Sequence, residues 1–143
     1  MRFAIDAHAI GRRLTGNEVY VRNLLANLAA LEESPPLLAY LTAGSTNGWI
    51  PPSVQCRDVA GNPYWRLGYD LSRCLREDRP ELVHVQYTAP LGCPVPVVAT
   101  VHDVSYLEHP EYFRPWRRMQ LLYTVARTVR AAAKVITGSE FSR

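Results

Sequence analysis

The chain has three cysteines in 143 residues, and no two of them form a CxxC pair. Cys56, Cys74 and Cys93 are odd in number and widely spaced, which argues against a disulfide framework or a zinc site and fits reduced thiols in the cytoplasm. No run approaches the roughly 20 apolar residues of a membrane span. The opening MRFAIDAHAI lacks the long apolar core and small-residue cleavage site of a secretory signal. Lysine is nearly missing: Lys134 stands alone, and 15 of the 16 basic residues are arginine. The net charge of +3 is too small to indicate a nucleic-acid partner. Two phosphate-binding signatures are absent as well. Gly11 and Gly16 stand five apart before a helix, but a P-loop needs Lys and Ser or Thr after the second glycine, where this chain has Asn17 and Glu18. The dinucleotide fingerprint GxGxxG does not occur.

What is present alternates between two periods. Arg2 to Ala7 reads as a strand, followed by a loop from His8 to Gly16. Val21, Leu24, Leu25, Leu28 and Leu31 then recur on one face of a 3.6-residue helix, which Ser34-Pro35-Pro36 terminates. Leu37 to Thr42 and Val54 to Val59 read as strands, separated by a loop from Gly44 to Pro52. Gly61-Asn62-Pro63 is a turn, and a helix near Tyr64 to Glu77 is expected to bury Leu67, Leu71, Cys74 and Leu75. Leu82 to Gln86 and Val97 to Val101 are further strands, joined by a loop rich in proline. A long helix from about Pro115 to Ala133 carries Trp116, Met119, Tyr123, Ala126, Val129 and Ala133 on one face, and Lys134 to Thr137 is a last strand. Strands alternating with helices of this length imply an α/β, Rossmann-like, mostly parallel sheet with helices on both faces. The final residues, Gly138 to Arg143, read as a strand end and a helix start capped by Ser139, so the chain is expected to be a fragment of a longer protein.

The chemistry concentrates at strand ends, where ligands bind in open α/β sheets. His102 and Asp103 follow the apolar run Val97 to Val101 directly. His102 can hydrogen-bond a substrate hydroxyl or stabilise developing charge, whereas Asp103 alternatively caps the segment after it. His84 alternates with Leu82 and Gln86, which favours a hydrogen-bonded core histidine and leaves Tyr87 to line the cleft. Tyr106, His109 and Tyr112 are either an acceptor wall, since aromatic faces suit sugars, or a loop packed on the domain. Gly16 either exposes backbone amides at a helix N-terminus, which suit a phosphate or sugar oxygen, or merely lets the chain turn. The histidines do not have the layout of a metal site, so no metal is expected. Between Glu111 and Glu140 there are six basic residues and no acidic one. That helix, Arg114 to Ala133, is either a solvated face or a dock for an anionic membrane surface.

Taken in order, RFAIDAHAI with TGNEVYVRNLLANLAAL, PELVHVQY, VVATVHDVSYLEHPEYF and AAAKVITGSEFSR resemble the N-terminal half of a GT-B-fold glycosyltransferase of family 4, the glycosyl group 1 transferases. The resemblance spans essentially the whole chain. It implies that residues 1–143 are the acceptor-side, Rossmann-like half of a two-domain enzyme, whose nucleotide-sugar donor binds mainly to a C-terminal domain not contained in this chain. It also implies retention of anomeric configuration without a required metal, with the nucleotide-sugar a co-substrate and no cofactor. The acceptor would be a sugar, a glycan or a lipid-linked saccharide. By resemblance, Gly16 and Asn17 approach the donor phosphates, His102 with Asp103 belongs to the catalytic centre, and Glu18, Tyr87 and Tyr106 lie on the substrate side. Asn17-Glu18 departs from the small or apolar residue and glycine more usual there. The expected location is cytoplasmic, with peripheral contact at the inner membrane face through Arg114 to Ala133. A rival reading is a non-enzymatic Rossmann-like module that binds a ligand or partner.

Overall fold

A computed structural model describes residues 1–11, 15–45 and 50–138. The expected cap at Ser139 and parts of the loops around Arg12 and Asn47 lie outside the described residues. Six strands form one all-parallel sheet: β1 (Phe3–Asp6), β2 (Leu37–Thr42), β3 (Gln55–Val59), β4 (Leu82–Gln86), β5 (Val97–Val101) and β6 (Lys134–Thr137). Their spatial order is β3-β2-β1-β4-β5-β6, so the winding reverses between β1 and β4. This is the doubly wound, Rossmann-like order, whose ligand crevice opens where the winding reverses.

Both faces of the sheet carry a core. On one, Ile5, Ala39 and Leu41 pack under α1 (Thr15–Ala29), which contributes Val21 and Leu25, both fully buried. Leu24 and Leu28 are half-buried beside them, and Leu31 lies beyond the helix end, exposed. On the other face, Ala4, Val83, Val85 and Ala99 pack against Leu71, Cys74 and Leu75 of α3 (Leu71–Asp78). Asn62 caps the short α2 (Pro63–Trp65) by accepting from the amides of Tyr64 and Trp65 at 2.9 and 3.2 Å, with Pro63 at the first helical position. Between α2 and α3 the helix widens into a π turn over Arg66–Asp70, which turns Arg66 and Asp70 into the interior and leaves Leu67 half-buried. A plain 3.6-residue period does not reveal that shift.

The connection from β4 to β5 holds no helix. It is an irregular stretch, 87–96, buried only at Ala89 and Pro90, and its backbone groups are held by side chains and neighbouring backbone. Ser72 donates to Leu91 O at 2.6 Å, Arg76 to Gly92 O at 3.2 Å, and Arg127 to Ala89 O. The Ala89 amide donates to Thr128 Oγ1 at 2.9 Å, and the Leu91 amide to Leu67 O at 2.7 Å. Gly92 takes φ +60°, a conformation suited to glycine.

After the short α4 (Ser105–Glu108) comes the long α5 (Pro115–Ala131). Of the apolar row along its length, Trp116, Met119, Tyr123 and Val129 are all exposed. The buried line is Val125 and Thr128, with Leu121 and Leu122 half-buried. Thr128 lies on that buried line, and its hydroxyl accepts from the Ala89 amide. A cavity of about 580 Å³ between α5, α4 and β6 is lined by Val101, Leu107, Val129 and Val135 among others. Leu75→Ala should therefore cost about 2–5 kcal/mol in urea unfolding. Met119→Ala should stay within about 0.5 kcal/mol of wild type in the same measurement.

Candidate functional site

The carboxyl ends of β1, β4 and β5 bring a polar cluster to the winding reversal. His84 and Gln86 on β4 are 94% buried, and Thr100 beside them on β5 is almost fully so. His84 Nε2 lies 2.8 Å from Thr100 Oγ1, and the Tyr20 hydroxyl of α1 meets the same Oγ1 at 2.9 Å. His84 is thus the hydrogen-bonded core histidine expected from alternation. Burial pushes its pKa from 6.5 down to about 4, with a smaller opposing pull from Asp6, so it is neutral at pH 7. Its Nδ1 and Gln86 Nε2 have no hydrogen-bond partner among the described residues.

His102 continues this layer beyond β5. Its Nε2 is 2.8 Å from Gln86 Oε1, and its ring meets Tyr20 edge-on at a centroid distance of 4.6 Å and Tyr87 at 5.6 Å. Burial holds its imidazole below the usual histidine range, against the attraction of Asp103. Tyr87 closes a three-residue turn in which Thr88 N–H donates to Gln86 O at 2.7 Å, and it has φ +61°. A bulky residue in that conformation is strained by about 1–3 kcal/mol. The Tyr87 hydroxyl donates to Asp103 Oδ2 at 3.0 Å. Asp103 itself is exposed, and its Oδ1 accepts from the Ser105 amide at 3.1 Å and hydroxyl at 2.5 Å. Those Ser105 bonds, together with Tyr87, hold its carboxyl below the ordinary carboxylate range despite partial burial. Asp103 therefore starts α4 and clamps Tyr87 at once.

The other sequence candidates fall into two groups. Gly16 and Asn17 lie in the first turn of α1, and a Cβ at Gly16 would meet nothing within 4 Å. Gly16 has no positive φ, so its helix does not require a glycine there for turning. Glu18 is turned into its own loop, accepting from the Gly11 amide at 3.1 Å and from Arg22 at 2.5 Å. Tyr106 is buried with Val101 and Val125 in a satellite core, and Arg118 donates to its carbonyl at 3.0 Å. Tyr112 is exposed and stacks near His109, at a ring distance of 5.4 Å.

Sequence reading missed a second cluster. Asp6, at the end of β1, is buried, and its Oδ1 lies 3.0 Å from His8 Nδ1. Arg66 of the π turn places Nε 3.8 Å from Asp6 Oδ2. Burial works to raise the Asp6 carboxyl, but His8 and then Arg66 outweigh it and hold it at about 2. The spacing Asp-Ala-His across a strand end was the available signal. Among the described residues, no group of three or more His, Cys, Asp or Glu could hold a metal ion, and no helix is long and apolar enough to cross a membrane.

The family model for Glycosyltransferase Family 4 matches residues 14–143. The chain belongs to that family. A search of curated proteins found no match. The family member's Rossmann-like domain has the architecture of one half of a GT-B fold.

His84 makes acid stability testable. The unfolded chain protonates this residue near 6.5 and the folded one only near 4, so stability falls as pH drops through that window and levels off below it. The loss attributable to His84 is at most about 3 kcal/mol, and His102 adds to it in the same direction. Asp6 acts lower, its contribution being lost as pH falls from 3.8 towards 2. Urea melts at stepped pH should show His84→Gln flattening the upper part of this limb.

Proposed function

We propose that this domain is the acceptor-side half of a retaining glycosyltransferase that moves a sugar from a nucleotide-sugar to a glycan or lipid-linked acceptor. Membership of a glycosyltransferase family supports transfer of a sugar in general. The observation that carries the finer reading is the clamped array at the strand ends. Gln86 holds His102, Asp103 holds Tyr87, and both pairs rim the crevice where the winding reverses.

In this reading His102 contacts the transferred sugar. Its ring is oriented by Gln86 and boxed between Tyr20 and Tyr87, so a sugar hydroxyl meets a group already in place. Gly16 and Asn17 offer first-turn amides to the donor phosphates, where the helix dipole is positive. Asp103 is a positioning residue through Tyr87. A second domain brings the donor, and closure of the two excludes water and aligns the reactants, without a required metal. The reaction takes place in the cytoplasm.

Release of nucleoside diphosphate from a panel of uridine, guanosine and thymidine diphosphate sugars tests this in the full-length protein. His102→Ala should lower turnover roughly 100-fold, with a cooperative melt retained at a modest loss of stability from the unpaired Gln86 carbonyl. Wild-type turnover in that variant removes His102 from the reaction. Sugar transfer by residues 1–143 alone contradicts the two-domain reading, and no release by the full-length protein favours a binding module.

The outer face of α5 supports peripheral membrane contact. Trp116, Met119 and Tyr123 are exposed on a helix that also exposes Arg117 and Arg130. Arg118 and Arg127 are tied to backbone carbonyls and do not belong to that surface charge. Sedimentation with phosphatidylglycerol-containing vesicles should bind the protein at low salt and release much of it at high salt, with Arg117→Ala/Arg130→Ala weakening it severalfold. Equal binding to neutral vesicles argues against the contact.

A further inference from the structure

Gln86 is the last residue of β4, and its register partner on β5 is Thr100. Two residues beyond Thr100 the chain reaches His102, and the Tyr87 amide, donating to Thr100 O at 2.9 Å, keeps the two strand ends together. The Gln86 side chain is buried in the same layer as His84 and Thr100, where a polar group costs free energy unless it is hydrogen-bonded. Its Oε1 meets His102 Nε2 at 2.8 Å, while His84 and Thr100 bond each other. The Gln86 amide is thus committed to the ring of His102.

That contact has a direction. A carboxamide oxygen can only accept, so His102 Nε2 carries the hydrogen and, in the neutral ring, Nδ1 carries the lone pair. Burial disfavours the charged form against the pull of Asp103, so the ring is neutral at pH 7. Nδ1 makes no hydrogen bond among the described residues, and unlike His84 Nδ1 it is not sealed from solvent. The neighbouring rings oppose a turn that would exchange the two nitrogens. Tyr20 meets the imidazole edge-on at 4.6 Å, and Tyr87, at 5.6 Å, is itself tied to Asp103 at 3.0 Å. The titratable groups around the ring are Asp103 beside it, His84 and Tyr87 from the β4 side, and Tyr20 from α1. None of these four hydrogen-bonds to either of its nitrogens.

We propose that Gln86 sets the polarity of the sugar site: it fixes His102 as the Nε2–H form, so that the ring accepts through Nδ1 from a hydroxyl of the transferred sugar. The role rests on the sugar-transfer reading, and Gln86 is a positioning residue that acts through the ring. A lone pair at that point favours a sugar that presents a hydroxyl there. A sugar presenting a carboxylate or only hydrogen is disfavoured, because neither can donate.

The experiment uses the full-length protein and whichever of the uridine, guanosine and thymidine diphosphate sugars supports release of nucleoside diphosphate. Long-range proton–nitrogen correlation spectra of the wild type should place the neutral His102 ring in the Nε2–H form. Gln86→Leu should lower kcat about tenfold, the worth of one positioning hydrogen bond. Gln86→Glu keeps an acceptor but adds an anion, which raises the pKa of His102 and favours a proton on Nδ1. Its acid limb should therefore move up by about one pH unit, with activity lost near neutrality and regained as pH rises. Among deoxy analogues of the donor, one should slow the wild type about tenfold and slow His102→Ala little further. If Gln86→Leu fails to fold, the wild-type spectra and the deoxy series carry the test. Wild-type turnover in Gln86→Leu overturns the proposal, as does a Gln86→Glu limb that stays in place. A deoxy series with the same losses in wild type and His102→Ala overturns it too. Release of nucleoside diphosphate by a wild type with an Nδ1–H ring overturns this proposal alone. No release by the wild type overturns the sugar-transfer reading, and this proposal with it.

Discussion

A parallel strand cannot be followed by its neighbour through a tight turn; the chain must first travel back over a face of the sheet. Because all six strands run the same way, every strand finishes on one edge, and the residues just beyond β1, β4 and β5 are gathered there whatever their distance in sequence. Asp6 and His8, Gln86 and Tyr87, and His102 and Asp103 are neighbours for that reason alone. The reversal of winding between β1 and β4 opens the crevice between the first two of these groups.

The same constraint explains the polar layer beneath the edge. The link from β4 to β5 stays on the α3 face and brings no helix to the opposite one. The opposite face of β4 and β5 carries a polar layer of His84, Gln86 and Thr100 towards its carboxyl end, reached by Tyr20 from α1. Burial keeps His84 neutral, while the compensated Asp6 nearby stays ionised. Both pKa values are lowered, which leaves the histidine neutral and the carboxylate charged at pH 7.

Much of this was legible because local pattern and tertiary demand agree. β2, β4 and β5 have the bounds their apolar runs suggest, since each is buried and flanked by proline or polar residues. The strand-end position of His102 followed from the run before it. Three features were not legible, each for a tertiary reason. The π turn inserts one residue's worth of slip, so Arg66 and Asp70 face inward against their polarity. α5 turns the line of Val125 and Thr128 inward and leaves the larger Trp116, Met119 and Tyr123 exposed. The Asp6–His8 pair spans two residues at a strand end, and only the burial of Asp6 distinguishes it from an ordinary turn.

The link from β4 to β5 has a further implication for how the domain assembles. It possesses no ladder of its own: the Ala89 amide is held by α5 and the Leu91 amide by the π turn. Each proton is protected by a hydrogen bond only once its own partner segment has docked. Exchange at those two amides thus reports separately on the seating of α5 and of the π turn against this stretch.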